Sequence, residues 1–251
     1  LASLILGMGL PVTASYIVLA TLSAPALYSL IAEIELISMM VAGTLPEAAQ
    51  TIFLLVDAEK AALLMAPMSE LDAQQMLAIV PDDFKGQLLE MAIAPETLAM
   101  TLLSAHMIIF WLSQDSNVTP PVCLTAFAAA AIAKTPPMAT GFMAWKVAKG
   151  LYIVPLLFAY TGFIGGTTSE VLSVFVFSLF GIYALVGCME GYLESPLNIG
   201  LRILSGISGV VMMWPHDELL FKLAGMAVFV LLFWYSRRQY KLQSVTAVAA
   251  G

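Results

Sequence analysis

Charge is scarce in this 251-residue chain: 11% of its residues are charged, against 61% hydrophobic. A water-soluble domain carries about 25% charged and 45–50% apolar residues. These charges would not cover a soluble surface, so the composition predicts an integral membrane protein. Bases are scarcer than acids, ten against seventeen, for a net charge of −7. That balance excludes nucleic-acid binding as a main role. Cysteine is limited to Cys123 and Cys188, far apart and in apolar surroundings. Their spacing excludes a disulfide or metal framework and reads both as small buried hydrophobes. Histidine is limited to His106 and His216, and no HExxH, Gly-x-Ser-x-Gly or Walker pattern occurs. A lone-serine intramembrane hydrolase needs a base, and His106 has no partner arrangement around it. The expectation is a protein that is not an enzyme. No basic n-region precedes the first apolar run, so no signal peptide is legible. The chain reads as a piece of something longer, starting inside an apolar helix.

Long apolar runs are what the chain does have, at about 1–30, 98–133, 142–163, 169–188, 201–214 and 219–236. About 20 helical residues cross the ~30 Å hydrocarbon core. Segments 142–163, 169–188 and 219–236 fit one crossing each. Segment 201–214 is short and crosses only where the core is thin or where it extends into 196–200. The first two are too long: as straight helices they would run about 45 Å and 54 Å. Each carries a break, "GMGLPVTAS" (7–15) in one and "QDSNVTPP" (114–121) in the other. Gly and Pro at these places end helices. Each segment is therefore expected to be two half-helices joined by unwound chain. Unwound backbone at membrane depth must be buried in protein or line a watery cavity.

Residues 31–96 are a different material. They hold eleven of the acidic residues, Glu33 to Glu96, with only Lys60 and Lys85 as bases. Apolar spacing near 3.6 is punctuated at Pro46, Pro67, Pro81 and Pro95. "SELDAQQML" opens like a capped helix, Ser69 as N-cap and Asp72 three residues on. "PDDFKGQLLEMAI" is acidic in its first turn in the same way. We expect a small acidic helical insertion in water; a third membrane-embedded region is the alternative. With the insertion outside, seven bases (Lys134, Lys146, Lys149, Arg202, Arg237, Arg238, Lys241) fall inside against Lys60, Lys85 and Lys222 outside. The positive-inside rule favours that orientation.

Chemistry concentrates in the two breaks. Gly7, Gly9, Pro11, Thr13 and Ser15 stand in the first. They read either as a kinked, closely packed helix or as an unwound hinge whose carbonyls and hydroxyls hold a hard cation such as Na⁺. Ser113, Asp115, Ser116, Asn117, Thr119, Pro120 and Pro121 stand in the second. An intramembrane carboxylate is a functional-site candidate. The alternative reading of Asp115 is an N-cap of the second half-helix or an ion pair with a nearby base. His106 reads as a hydrogen-bonded helix residue rather than a proton relay. "RRQYK" (237–241) reads as a topology anchor.

"LGMGLPVTASYIVLATLSAPAL" (6–27) and "SNVTPPVCLTAFAAAAIAKTPPMATGFMAWKVAKGLYIVPLLFAY" (116–160) closely resemble the large membrane subunit of tripartite ATP-independent periplasmic (TRAP) transporters. The resemblance is best to the fused permeases that work with TAXI-type binding proteins. "GYLESPLNIGLRILSGISGVVMMWP" (191–215) is similar to their extra C-terminal region. The resemblance implies an all-α polytopic bundle with discontinuous helices, the second of two inverted repeats of an elevator-type transporter. It implies Na⁺-driven import, across a bacterial inner membrane, of a small organic anion delivered by a periplasmic binding protein. The N-terminal repeat would lie on the remainder of the permease. Carried over by motif, Gly7, Gly9, Pro11, Thr13 and Ser15 stand at the first unwound stretch of this repeat. Ser116, Asn117, Thr119, Pro120 and Pro121 stand at its second. Carbonyls near Gly7 and Gly9 and the hydroxyls of Thr13 and Thr119 are then the expected ligands of Na⁺ or substrate. No other cofactor is implied. The insertion departs from the short connection most relatives have. Expected divisions are 1–30, 31–96, 97–166 and 167–251. A membrane scaffold and a membrane enzyme are the competing classes.

Overall fold

The computed structural model describes residues 5, 9–57, 61, 64, 66–215 and 218–249, with side chains up to Leu242. The regular structure among them is helical, apart from one isolated bridge between Tyr192 and Pro196. The helices are α1 (Val12–Leu22), α2 (Ala24–Ala42), α3 (Glu47–Val56), α4 (Glu70–Ala78), α5 (Asp82–Ala92) and α6 (Pro95–Ser113), followed by α7 (Leu124–Ala133), α8 (Pro137–Val147), α9 (Val154–Tyr160), α10 (Thr168–Glu190), α11 (Ile199–Met213) and α12 (Leu219–Ala249). Short 3₁₀ turns occupy Gln114–Asn117 and Ala148–Tyr152. Among the described residues, five stretches are long and apolar enough to cross a membrane: Ala24–Ala42, Pro95–Asn117, Pro137–Tyr160, Thr168–Glu190 and Leu219–Leu242. The chain is thus an all-helical protein with the character of a multi-pass membrane protein.

Backbone packing divides it into two compact units, Leu1–Asn117 and Val118–Gly251. In the first unit, α2 runs through the expected boundary at 30/31 without a break. Glu33 and Glu35 do not end it, because Glu is a good helix former. It stops at Gly43, which takes the left-handed conformation (φ 66°) that glycine adopts without a Cβ penalty. The insertion therefore shares its core with a candidate span. Leu36 and Met40 of α2 are buried with Phe53 of α3, Met76 and Leu77 of α4, and Leu88 and Leu89 of α5. The apolar stripes of the acidic helices close on that core. Ser69 caps α4 as expected, its Oγ accepting from the Asp72 N–H at 3.2 Å. Asp82 and Asp83 fill the first turn of α5, favourable against the helix dipole. A further break, at Ser23 between α1 and α2, was not expected. Pro25 follows there and lacks an N–H to continue the ladder.

The second unit contains a three-helix assembly of α10, α11 and α12. Thr167 and Glu170 form a reciprocal capping box at the start of α10. Asn198 caps α11, accepting from the Leu201 N–H at 2.9 Å. α10 and α11 approach closely: a Cβ on Gly209 would lie 2.7 Å from the Gly181 carbonyl oxygen. Small residues let helix backbones meet where no hydrophobic drive separates protein from lipid. Leu179, Leu220, Leu231 and Trp234 are each more than half exposed, which suits an apolar solvent. Segment 142–163, expected as one crossing, falls largely within the single candidate span Pro137–Tyr160, which is built of α8, a 3₁₀ turn at Ala148–Tyr152, and α9. Gly150 and Pro155 together account for the interruption.

Candidate functional site

The second break is real. α6 ends at Ser113, tightens to 3₁₀ geometry over Gln114–Asn117 and does not resume as helix until Leu124. Pro120 and Pro121 lie in the irregular stretch, joined by a cis peptide bond. The polar side chains here point inward. Asp115 is 0% exposed, Ser116 1% and Thr119 3%. Ser113 Oγ donates to the Phe110 carbonyl at 2.6 Å, and Ser116 Oγ to the Ser113 carbonyl at 3.2 Å. These bonds close back on the last turn of α6, where carbonyls lack helical partners. Asn117 Nδ2 donates to Gln114 Oε1 at 3.3 Å. The division between the two units falls inside this break, after Asn117.

The first break is described from Gly9 onward; Gly7 lies outside the described residues. Pro11 precedes α1 in extended geometry (φ −57°, ψ 146°) and starts the helix, its carbonyl accepting from the Ser15 N–H at 2.9 Å. Ser15 is 0% exposed, and its hydroxyl finds no hydrogen-bond partner among the described residues. Thr13, on the same turn, is exposed. Among the described residues nothing lies within 4 Å of where a Gly9 Cβ would stand. Crowding by the described residues therefore does not account for glycine there.

Within the first unit the two breaks come together. α1 packs on α6 and on the Gln114–Asn117 turn. Tyr16 carries the contact: its hydroxyl and His106 Nδ1 share a hydrogen bond of 3.2 Å, and its ring meets Phe110 edge-on at 5.8 Å. Leu19 and Ile109, both fully buried, complete the seam. The outcome for His106 agrees with its reading as a hydrogen-bonded helix residue. Ser15, Asp115 and Ser116 thus belong to one packed unit.

In the second unit, Thr119 shares a hydrogen bond of 3.3 Å with the Tyr152 hydroxyl, which also accepts from Trp145 Nε1 at 2.9 Å. The interrupted α8–α9 segment thereby holds the start of the irregular stretch. Gly141 makes this fit: a Cβ there would lie 2.7 Å from Cys123 Sγ and 3.4 Å from Pro120. Cys123 is fully buried, as expected; Cys188 is only partly so. Sequence reading misses Tyr16, Gly141, Trp145 and Tyr152. The clue for Tyr152 was the Gly-Leu-Tyr-Ile-Val-Pro run, which contains a helix breaker on each side of it.

Chemically, the breaks offer oxygen: hydroxyls, one carboxylate and carbonyls released from helical bonding. That set suits a hard cation or polar solute better than a soft metal. Among the described residues no group of three or more His, Cys, Asp or Glu stands together to hold a metal ion. The fold and this site define a polytopic helical chain with paired polar interruptions in its apolar helices. Compared with known proteins, it matches no family model, no curated protein and no solved structure.

Proposed function

We propose that this chain is the C-terminal portion of the large membrane subunit of a TRAP transporter of the TAXI-type fused class. In this reading it imports a small organic anion across a bacterial inner membrane, driven by Na⁺ and supplied by a periplasmic binding protein. The observation that carries the reading is the packing of the α1 start against the Gln114–Asn117 turn, with Ser15 and Asp115 both fully buried. A carboxylate held inside a candidate span is costly and is kept where it serves ions or substrates. Interrupted helices free the backbone groups that coordinate them. The motif resemblance over 6–27 and 116–160 supplies the substrate class and the partner. The acidic insertion, which shares its core with α2, is in this reading a cap on the outer face that meets the binding protein. The test is uptake by the full-length permease in proteoliposomes with its binding protein. Uptake should require both an inward Na⁺ gradient and the binding protein; uptake that ignores both ends the proposal.

A further inference from the structure

At one end of the α10–α12 assembly the bases converge. Glu190, the last residue of α10, takes Lys149 Nζ at 2.7 Å and Lys146 Nζ at 3.2 Å. Arg202 donates to the Cys188 and Met189 carbonyls at 2.9 and 3.0 Å, closing the same helix end. Ser236 Oγ accepts from the Glu194 and Ser195 N–H groups, which sets α12 at the level of the α10–α11 loop. Arg237, Arg238 and Lys241 follow within two turns and are exposed. Six bases therefore gather against two carboxylates, Glu190 and Glu194. The Arg202 guanidinium meets the negative end of the α10 dipole there.

The continuous apolar run of the sequence, 219–236, ends at the same level. Arg237 stands about 27 Å along the helix from Leu219 at ~1.5 Å per residue. That distance is close to the ~30 Å hydrocarbon core. Immediately before the bases lie the exposed Leu231 and Trp234, 66% and 61% exposed, with the Arg238 guanidinium 5.8 Å from the Trp234 ring centroid. Tyr235 and Tyr240 flank them, also exposed. Aromatic rings backed by Lys and Arg are the composition of a membrane–water interface.

We propose that this end of the second unit is a docking surface for the headgroups of anionic phospholipids. A phosphodiester headgroup meets the Arg237–Arg238–Lys241 cluster while its acyl chains lie along the apolar face of α12 past Leu231 and Trp234. Charge and apolar surface adjoin, so the ligand must carry an anion and a hydrocarbon tail together. Free phosphate offers only the first, and an acidic protein surface would leave the apolar face uncovered. The proposal rests on the membrane character of the chain and not on its transport activity.

The experiment is native mass spectrometry of the purified full-length protein titrated with phosphatidylglycerol or phosphatidylcholine. The wild type should retain phosphatidylglycerol preferentially. Arg237→Gln/Arg238→Gln/Lys241→Gln should reduce that preference on the order of 100-fold, about fivefold per charge removed. The charge-preserving Arg237→Lys/Arg238→Lys/Lys241→Arg should keep it, which separates charge loss from misfolding. Lys222→Gln, in the first turn of α12, should change nothing. No phosphatidylglycerol preference in the wild type overturns the proposal. So does a preference that survives the triple neutralisation, equal displacement by inorganic phosphate, or loss in the charge-preserving variant. Failure of the protein to enter phosphatidylcholine vesicles overturns the membrane reading beneath it.

Discussion

The Tyr16 hydroxyl and His106 Nδ1 lie 3.2 Å apart although 90 residues separate them in the chain. Their hydrogen bond ties the first turns of α1 to the middle of α6, next to both polar breaks. A net contribution of about 1 kcal/mol is typical of such a bond. Tyr16→Phe should lower stability by that amount, and His106→Phe should lower it by a similar amount. In a double-mutant cycle read by thermal unfolding of the full-length protein, the two losses should not add. Additive losses would mean that the bond contributes nothing.

Thr119→Val keeps the side-chain shape and removes a buried hydroxyl. If that hydroxyl serves Na⁺ or substrate, Na⁺-dependent uptake should fall about tenfold or more, from loss of one polar contact. Expression should be nearly normal. Tyr152→Phe is the comparison, because it leaves the Thr119 hydroxyl in place while removing the Tyr152 hydroxyl that Thr119 and Trp145 share. Equal uptake in Thr119→Val and wild type would remove Thr119 from the site.

Among the described residues nothing obstructs Gly9, so Gly9→Leu should leave the melting temperature nearly unchanged. Uptake should still fall, because leucine would occupy the space through which a ligand reaches the backbone. Normal uptake with unaltered Na⁺ dependence would show that no ligand approaches there.

Gly141 is the opposite case. Gly141→Ala places a methyl against Cys123 Sγ, and overpacking of this kind costs about 1–3 kcal/mol. The second substitution Cys123→Ala should recover part of the loss. A Gly141→Ala protein as stable as wild type, by thermal unfolding, would mean that α7 and α8 are free to separate.

The insertion has a pH signature. Lys85 Nζ lies 2.9 Å from Asp82 Oδ1 and 3.9 Å from Glu33 Oε1. The hydrogen bond to Asp82 holds the ammonium above its ordinary pKa, burial opposes, and the Glu33 charge adds to the rise. A raised folded-state pKa means that the stabilisation is fully present below the unfolded value, ~10.4. It is lost as pH rises through the folded one. Lys85→Met should therefore separate from wild type at neutral pH and converge with it in strongly alkaline buffer. Curves that stay parallel would remove the pair from the account.

How much of this the sequence reveals depends on how local each cause is. Gln114 to Pro121 announce their break because polar side chains and two prolines interrupt an apolar run. Ser69 and Asp72 announce a cap at fixed spacing. Ala148–Tyr152 does not announce itself, since one glycine inside an apolar helix is ordinarily tolerated. The insertion boundary misleads for a related reason. Glu33 and Glu35 look like the start of watery sequence, yet helix propensity carries α2 past them to Gly43. The partners of Tyr16 and Thr119 lie 90 and 33 residues away, and no local pattern encodes them.

Ser236 is fully buried and gathers three groups on one oxygen: the Glu194 N–H at 3.0 Å, the Ser195 N–H at 2.8 Å and the Ser195 hydroxyl at 3.0 Å. It therefore works as a detent for α12. Elsewhere along that helix, Phe229 and Phe233 meet Tyr183 through aromatic contacts, which carry no hydrogen-bonded register. A slip of one turn, about 5.4 Å, would carry Arg237 and Arg238 from the interface into hydrocarbon or lift Trp234 out into water. That hydroxyl gives the basic end a polar register point against the α10–α11 loop.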